Sequence, residues 1–146
     1  MFQKEVVIMR GISGAGKSTF IKKNYPKAVI CSADNFFVNK DGVYSFDPKK
    51  IKEAHQFCQK TFLDSLKNSS PLVVVDNTNT QLWEFKTYID VAKEHQYKIS
   101  VIRIVIDPKK AAERNRHGVP EEAVVRMSSR FEDFPGETIV SASFEV

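Results

Sequence analysis

Three short stretches of the sequence combine residue types that could do phosphate chemistry. The first, GISGAGKSTF from Gly11 to Phe20, fits the phosphate-loop pattern G-x-x-x-x-G-K-[ST]. Glycines let backbone N–H groups turn toward an anion, a helix beginning near Lys17 adds its positive dipole end, and the lysine adds a full charge. The motif follows an apolar run and precedes a helical pattern, the context in which it is specific, so it predicts a nucleoside triphosphate site.

Within this loop, Lys17 is assigned to the β- and γ-phosphates and the Ser18 hydroxyl to Mg²⁺. ATP and Mg²⁺ are therefore the expected ligands. The alternative, a glycine-rich turn with an exposed lysine, is disfavoured by the strand–loop–helix context. The residues expected to contact the nucleotide here are Ser13, Gly14, Ala15, Gly16, Lys17, Ser18 and Thr19.

The other two stretches place a carboxylate just after an apolar strand pattern. Asp34, in ICSADNFF, can accept the proton of an attacking hydroxyl or cap a short helix formed by residues 35–37, and the two roles are compatible. Asp76 ends LVVVD and can orient Mg²⁺ or its water shell, or cap the helix that begins near Gln81. Thr80 would serve that helix equally well as a cap, which leaves Asp76 for the site.

Together these motifs resemble those of the phage-type polynucleotide 5′-hydroxyl kinases and related P-loop kinase-like domains. The similar segments are GISGAGKST, SADNFF, VVVDNTN and IDPKKAAERNRHGVP, and the resemblance extends from Val6 to about Arg130. The phosphate loop is common to many proteins, whereas its combination with S-x-D, D-x-T-N and R-N-x-x-G is much more specific. The resemblance implies an ATP-dependent kinase whose acceptor is most readily the 5′-hydroxyl of RNA or DNA.

The resemblance also implies a role for each matching residue. Lys17 and Ser18 would serve the phosphates and magnesium, Asp34 would be the general base, and Asp76 would support the site. Arg114 and Arg116 would belong to an arginine-bearing lid over the donor phosphates. The residues themselves allow two readings of these arginines, charge neutralisation on the transferring group or stabilisation of a helix C-terminus, and we favour the first for Arg116.

One position departs from the phage-type pattern, in which an arginine three residues after the catalytic aspartate holds the substrate's phosphate. Phe37 stands there, and Phe36 and Phe37 can stack on a nucleobase or lie in the core, with at least one of them expected in the core. The lone Trp83 can line an acceptor pocket but is expected in the core. A sugar, nucleoside or antibiotic kinase is therefore the alternative, and a non-catalytic nucleotide-binding module the third possibility.

Alternating strand and helix patterns must position these groups. Strands are predicted at 6–9, 28–31, 72–75 and 99–106, with an edge strand at 138–140. Helices are predicted at 17–24, from Pro48 with Asp47 as cap, at 81–96, after Asp107, where Gly118 ends the helix, and from Pro120 to about Arg130. The pattern predicts an α/β fold over residues 1–146 as a single domain: a P-loop NTPase-type three-layer sandwich with a four- to five-stranded, mainly parallel sheet.

Composition sets broad limits. A length of 146 residues with 42% hydrophobic and 27% charged residues is typical of a single folded domain. The net charge of +4 permits a polyanionic partner but also suits an enzyme that holds only a nucleotide. Cys31 and Cys58 lie in apolar contexts and are expected to be reduced core residues. Without a signal-peptide pattern or a membrane-length apolar run, the chain is expected to be soluble and cytoplasmic, with a nuclear location open.

Overall fold

A computed structural model describes residues 3–12, 14–114 and 118–141 of the chain. These residues contain five strands: β1 (Glu5–Arg10), β2 (Val29–Cys31), β3 (Leu72–Asp76), β4 (Lys98–Val105) and β5 (Thr138–Ser141). They form one sheet in the order β2-β3-β1-β4-β5, and every neighbouring pair is parallel. The carboxyl ends of all five strands therefore lie at one edge of the sheet, where ligands bind in folds of this kind.

Helices cover both faces of the sheet. They are α1 (Lys17–Asn24), α2 (Ile51–Lys67), α3 (Leu82–Glu94), α4 (Pro108–Arg114) and α5 (Glu121–Ser129), with 3₁₀ turns at Ala33–Phe37 and Pro48–Lys50. Because side chains alternate along a strand, Val6 and Ile8 of β1 pack in a core with α2 and α3. Val7 and Met9 enter the opposite core, which α1, α4 and α5 complete. The result is the expected three-layer α/β sandwich.

The elements predicted from the sequence are confirmed, with differences of one or two residues at several ends. For example, β2 begins at Val29 rather than at residue 28. Asp47 caps the 3₁₀ turn that leads into α2, since its Oδ1 accepts the N–H of Lys49 at 3.0 Å, and Pro48 takes the first position. The expected edge strand is β5, which pairs with β4 and makes the sheet wholly parallel rather than mainly so.

A buried arginine links β1 to the segment that precedes β5. The Arg10 side chain at the end of β1 is 0% exposed, and its guanidinium lies over the rings of Phe85 and Phe131. It donates to the Glu137 carboxylate at 2.7 Å and to the carbonyls of Asn79 at 2.8 Å, Thr80 at 2.9 Å and Glu132 at 2.6 Å. A buried charge is tolerated only when it is paired and hydrogen-bonded, and this one is both.

The two cysteines are free and buried, as the sequence predicted. Burial, and secondarily the charge of Cys58, raises the pKa of Cys31 to about 12, and burial also raises the pKa of Cys58. Such thiols remain protonated and packed at neutral pH. Within the described ranges, none of the helices combines the length and the apolar character needed to cross a bilayer.

Candidate active site

Three loops follow adjacent strands at the same level of the sheet. They are the phosphate loop, the Asp34 turn and the turn after Asp76. In the sheet register, Val75 of β3 lies opposite both Ile8 of β1 and Cys31 of β2. Each strand then ends within a few residues and passes into one of the three motifs. The fold thus assembles chemistry-bearing segments that are far apart in the sequence.

The phosphate loop requires glycine at two positions. Gly16 is the N-cap of α1 with φ 95°, and Gly14 has φ 84°, a left-handed conformation that side chains disfavour. A Cβ on Gly14 would also lie 2.0 Å from the carbonyl oxygen of Ala111 in α4. The N-cap Gly16 has no side chain with which to cap α1, and the N–H groups of the first turn point toward the loop, as an anion site requires.

Lys17 lies in this loop under the influence of two carboxylates. Its Nζ donates to the carbonyls of Gly11 at 2.8 Å and Ile12 at 3.3 Å. Burial lowers the pKa of Lys17, and the negative charges of Asp76 and, to a smaller extent, Asp34 act in the opposite direction. Both carboxylates are therefore within electrostatic reach of the ammonium group.

Asp34 lies on the exposed side of the 3₁₀ turn Ala33–Phe37. The cap of this turn is Ser32, whose Oγ accepts the N–H of Asp34 at 3.2 Å, so the helix-capping role that the sequence left open for Asp34 belongs to its neighbour. The hydroxyl of Tyr44 lies 3.5 Å from Asp34 Oδ1. Burial raises the pKa of Tyr44, and the charge of Asp34 raises it further.

The three residues after Asp76, Asn77-Thr78-Asn79, connect the motifs to one another. Each forms a hydrogen bond to a different segment around the site. Asn77 Oδ1 accepts the N–H of Ala33 at 2.9 Å, the Thr78 carbonyl accepts the N–H of Gly11 at 3.1 Å, and Asn79 Nδ2 donates to the Met9 carbonyl at 2.8 Å. This positioning role was not predicted; its sequence signal was the run of short hydrogen-bonding side chains at a strand end.

Asp76 does not cap α3. The N-cap of α3 is Gln81, and the carboxylate of Glu84 accepts the Gln81 N–H at 2.7 Å and the Thr80 hydroxyl at 2.6 Å. The prediction of Thr80 as the cap was therefore wrong by one residue. Asp76 ends β3 opposite Met9, beside the start of the phosphate loop.

Ser18 and Asp76 fit a magnesium ion by their chemistry. Both offer oxygen ligands, and Mg²⁺ binds such ligands while keeping several waters or phosphate oxygens. The described residues contain no group of three or more His, Cys, Asp or Glu side chains that could hold a metal. Two oxygen donors beside the loop would suit an ion whose coordination a bound nucleotide completes.

The helix that carries Arg114 packs directly on the phosphate loop. Ala111 of α4 is fully buried and contacts Gly14, and Arg114 lies one helical turn further at the exposed end of α4. Arg116 and Ser13 lie outside the described residues, so their roles remain predictions. The helix was expected to end at Gly118, which has φ 68°; the described part of α4 ends at Arg114.

The remaining loop candidates are placed as follows. Ala15 is buried, and its N–H donates to the Ile12 carbonyl at 3.0 Å, which closes the loop internally. Thr19 is exposed on the first turn of α1.

The aromatic residues near the site separate into buried and exposed ones. Phe37 is 8% exposed, which confirms that at least one of the adjacent phenylalanines lies in the core, while Phe36 is half-buried. Trp83 is 70% exposed, and its indole N–H donates to Gln81 Oε1 at 2.8 Å, so the expectation that it lies in the core was wrong.

A family model described as "AAA domain" matches residues 6–134. The chain belongs to this family, AAA_33. The resemblance to P-loop kinases related to the polynucleotide kinases, first seen in the motifs, is thereby confirmed. Two relatives and two solved structures add detail.

The chain is 33% identical over 145 residues to NEDD4-binding protein 2 of Homo sapiens. It is 27% identical over 137 residues to the bifunctional polynucleotide phosphatase/kinase of Schizosaccharomyces pombe. These alignments cover 94% and 88% of the chain but only 8% and 30% of the two relatives. The chain thus spans less than a third of the length of either relative.

Among solved structures, a chain of the Pnkp1/Rnl/Hen1 RNA repair complex matches with a TM-score of 0.74 and 17% identity, over 100% of this chain and 50% of that one. A gluconokinase from Sinorhizobium meliloti 1021 matches with a TM-score of 0.61 and 16% identity, over 99% of this chain and 85% of that one. At such identities the likeness shows the shared P-loop kinase fold.

Proposed function

We propose that this chain is an ATP-dependent phosphotransferase that moves the γ-phosphoryl group of ATP to a hydroxyl acceptor, the 5′-hydroxyl of RNA or DNA. The observation that carries the proposal is the sheet register, in which Val75 of β3 lies opposite both Ile8 of β1 and Cys31 of β2. The phosphate loop, Asp76 and the Asp34 turn follow these three strands at the carboxyl edge of the sheet, and the charges of Asp76 and Asp34 oppose the lowering of the Lys17 pKa by burial.

In the proposed reaction, the loop amides and Lys17 hold the donor phosphates, and Arg114 and Arg116 neutralise charge on the transferring group. Asp34 accepts the proton of the attacking hydroxyl as its oxygen bonds to the γ-phosphorus and the bond to the β–γ bridging oxygen breaks, releasing ADP. A magnesium ion held by Ser18 and Asp76 would neutralise part of the phosphate charge.

Two findings support a polynucleotide acceptor. The Schizosaccharomyces pombe relative is a bifunctional polynucleotide phosphatase/kinase, and the Pnkp1/Rnl/Hen1 structure is an RNA repair complex. The D-N-T-N turn, which the resemblance shares with polynucleotide kinases, holds the Asp34 turn through Asn77. A net charge of +4 is compatible with a polyanion.

A second candidate is a small-molecule kinase. Phe37 occupies the position at which the phage-type pattern has a phosphate-gripping arginine, and this side chain is almost fully buried. The fold is also shared with a gluconokinase. These observations favour an acceptor that carries no phosphate of its own.

The test is transfer of labelled γ-phosphate from ATP to a panel of 5′-hydroxyl RNA and DNA oligonucleotides, nucleosides and gluconate. The expected result is labelling of 5′-hydroxyl oligonucleotides and none of their 5′-phosphorylated twins. Asp34→Asn should lower transfer by roughly 10²- to 10⁴-fold while ATP affinity is kept. Asp64→Asn, on the exposed face of α2, is the matched control and should change neither value.

Other outcomes assign the function differently. Labelling of gluconate or a nucleoside alone would favour the small-molecule kinase. ATP binding without transfer to any acceptor would favour a non-catalytic module. Undiminished transfer by Asp34→Asn would remove Asp34 as the base.

A further inference from the structure

Five aromatic rings form a connected cluster that begins beside Asp34. We call it the aromatic cluster; its members are Phe36, Phe37, Tyr44, Phe46 and Phe57. The ring centroids lie 5.4 Å apart for Phe36–Phe37, 5.8 Å for Phe36–Phe57, 5.1 Å for Phe37–Phe46 and 6.3 Å for Phe37–Tyr44. Since the Tyr44 hydroxyl lies 3.5 Å from Asp34 Oδ1, the cluster extends outward from the proposed base.

The outer rings of the cluster face solvent. Phe37 at its centre is buried, whereas Phe46 is 50% and Phe57 42% exposed. Three further apolar side chains nearby in the sequence are exposed as well: Val38, Val43 and Ile51. Single exposed apolar residues are ordinary, but two exposed rings that are joined through Phe36 and Phe37 beside the proposed base indicate a binding surface.

The segment that carries these rings is ordered by its own hydrogen bonds. Asn39 Oδ1 accepts the N–H groups of Asp41 at 2.9 Å and Val43 at 3.0 Å. The Ser45 N–H donates to the Phe37 carbonyl at 2.8 Å, next to a bridge between Val38 and Tyr44. The rings are thus held in place before any ligand arrives, which lowers the entropic cost of binding.

The charged side chains around the aromatic cluster favour a nucleic acid over an apolar partner. Four lysines in the same segments are exposed: Lys40, Lys49, Lys50 and Lys52. The acidic residues between or next to them are Asp41, Asp47 and Glu53, and Asp47 is engaged as the cap of the 3₁₀ turn. Exposed aromatic rings interleaved with lysines are typical of surfaces that bind single-stranded nucleic acid, where bases stack and cations follow the backbone.

We infer that Phe46 and Phe57 stack on the first one or two nucleobases of a single-stranded acceptor whose 5′-hydroxyl lies at Asp34. The lysines around them meet the phosphates that follow. This inference rests on the proposed function and specifies its substrate class: the acceptor is recognised through its base rings, where the phage-type pattern uses a cation at position 37.

The test measures binding rather than turnover. A single-stranded oligonucleotide with a 5′-hydroxyl and a dye at its 3′ end is compared by fluorescence anisotropy with a twin whose first two nucleotides are abasic. The protein should bind the intact strand at least about tenfold more tightly than the abasic twin, as loss of one stacked base implies. Phe46→Ala and Phe57→Ala should each weaken binding of the intact strand about fivefold to a hundredfold, with little effect on the abasic twin.

Two control variants test whether the effect on binding is specific to the stacking rings. Ile139→Ala removes an exposed apolar side chain from β5, at the opposite edge of the sheet from β2, and should leave both affinities unchanged. Phe46→Trp keeps a stacking ring and should retain the preference for the intact strand.

The outcomes separate this inference from the proposed function. Base-dependent binding without phosphate transfer would keep the stacking surface and overturn the kinase proposal. Transfer to oligonucleotides with equal affinity for the intact and abasic strands would keep the kinase and overturn the stacking surface, which would then be assigned to contact with another protein segment. Absence of both binding and transfer would overturn both.

Discussion

Two cations flank the same phosphate loop and are held in opposite ways. Arg10, before the loop, bonds to Glu137 and three backbone carbonyls and is enclosed between aromatic rings. Lys17, at the end of the loop, bonds to the carbonyls of Gly11 and Ile12, while Asp76 and Asp34 act on it through their charges. Burial is the largest influence on the pKa of both side chains, and it lowers each of these pKa values.

The difference shows what distinguishes a structural charge from one kept for a ligand. The Arg10 guanidinium forms four hydrogen bonds within the protein, so a ligand would have to compete with bonds already made. The bonds of Lys17 run to carbonyls of the loop itself, and a phosphate oxygen can replace them. The comparison therefore predicts that removing Arg10 costs stability and removing Lys17 costs activity.

The largest expected effect belongs to Lys17→Met. Loss of the only full charge that the loop directs at the phosphates should lower phosphate transfer by about 10³-fold or more. Stability should not fall. Measurement of transfer kinetics beside a urea titration tests this, with Lys22→Met, on the exposed face of α1, as a control that changes neither.

The pH dependence of stability sharpens this prediction. The folded chain releases the Lys17 proton at a lower pH than the unfolded chain, whose lysine keeps its ordinary pKa of 10.5. Between these two values the unfolded chain binds more protons, so this group makes the folded state more stable as pH rises. Lys17→Met should lose that rise in urea titrations from neutral pH to pH 10.5; an identical pH profile would contradict the assignment.

The next effect belongs to Arg10→Met. It removes the cation at 2.7 Å from the buried Glu137 carboxylate and, among the described residues, leaves only Arg103 at 3.6 Å, so it should lower the free energy of unfolding by about 3–5 kcal/mol. Lys86→Met is the matched control, because its ion pair with Asp90 lies on the exposed face of α3 and should contribute about 0.5 kcal/mol or less. Equal losses in the two variants would show that Arg10 is not a structural centre.

Gly14→Ala tests the contact between the phosphate loop and α4. The added methyl would meet the Ala111 carbonyl at 2.0 Å, so the loop or the helix must move, at a cost of about 2–3 kcal/mol and at least tenfold in ATP affinity. Gly136→Ala has a similar φ of 90° and open space around its Cβ. This control should cost about 1–2 kcal/mol from backbone strain alone and leave ATP binding, measured by calorimetry, unchanged.

The smallest effects are expected at two asparagines of the D-N-T-N turn. One of them should affect stability, as Arg10 does, and the other activity, as Lys17 does. Asn79→Ala leaves the Met9 carbonyl without its amide partner in the core and should cost about 1–3 kcal/mol of stability. Asn77→Ala frees the N–H before Asp34 and should instead lower phosphate transfer about tenfold with a loss of stability near 1 kcal/mol. Thermal melts and transfer kinetics on both variants check the division; reversed effects would contradict it.

Much of this structure could be predicted from local sequence patterns. The phosphate loop, the cap at Asp47 and the parallel strands are determined by residues close to one another in the sequence, and they were predicted. Excluding Asp34 as the cap of its turn needed the hydrogen bond of Ser32, which depends on backbone geometry at the turn.

Features that depend on distant partners were missed. Nothing near Arg10 in the sequence indicates that its counter-charge is Glu137, since the two meet only when β5 docks beside β4. Likewise, the adjacent phenylalanines 36 and 37 are equivalent in pattern, and the rings of Tyr44 and Phe46 decide which one is enclosed.

The pairing of Arg10 with Glu137 has a consequence for synthesis on the ribosome. The first strand of the sheet contains a charge whose partner is translated near the end of the described chain, so a nascent chain cannot bury that strand completely until residue 137 has left the exit tunnel. Until then the region around Arg10 is expected to stay incompletely packed, because its buried charge lacks its partner.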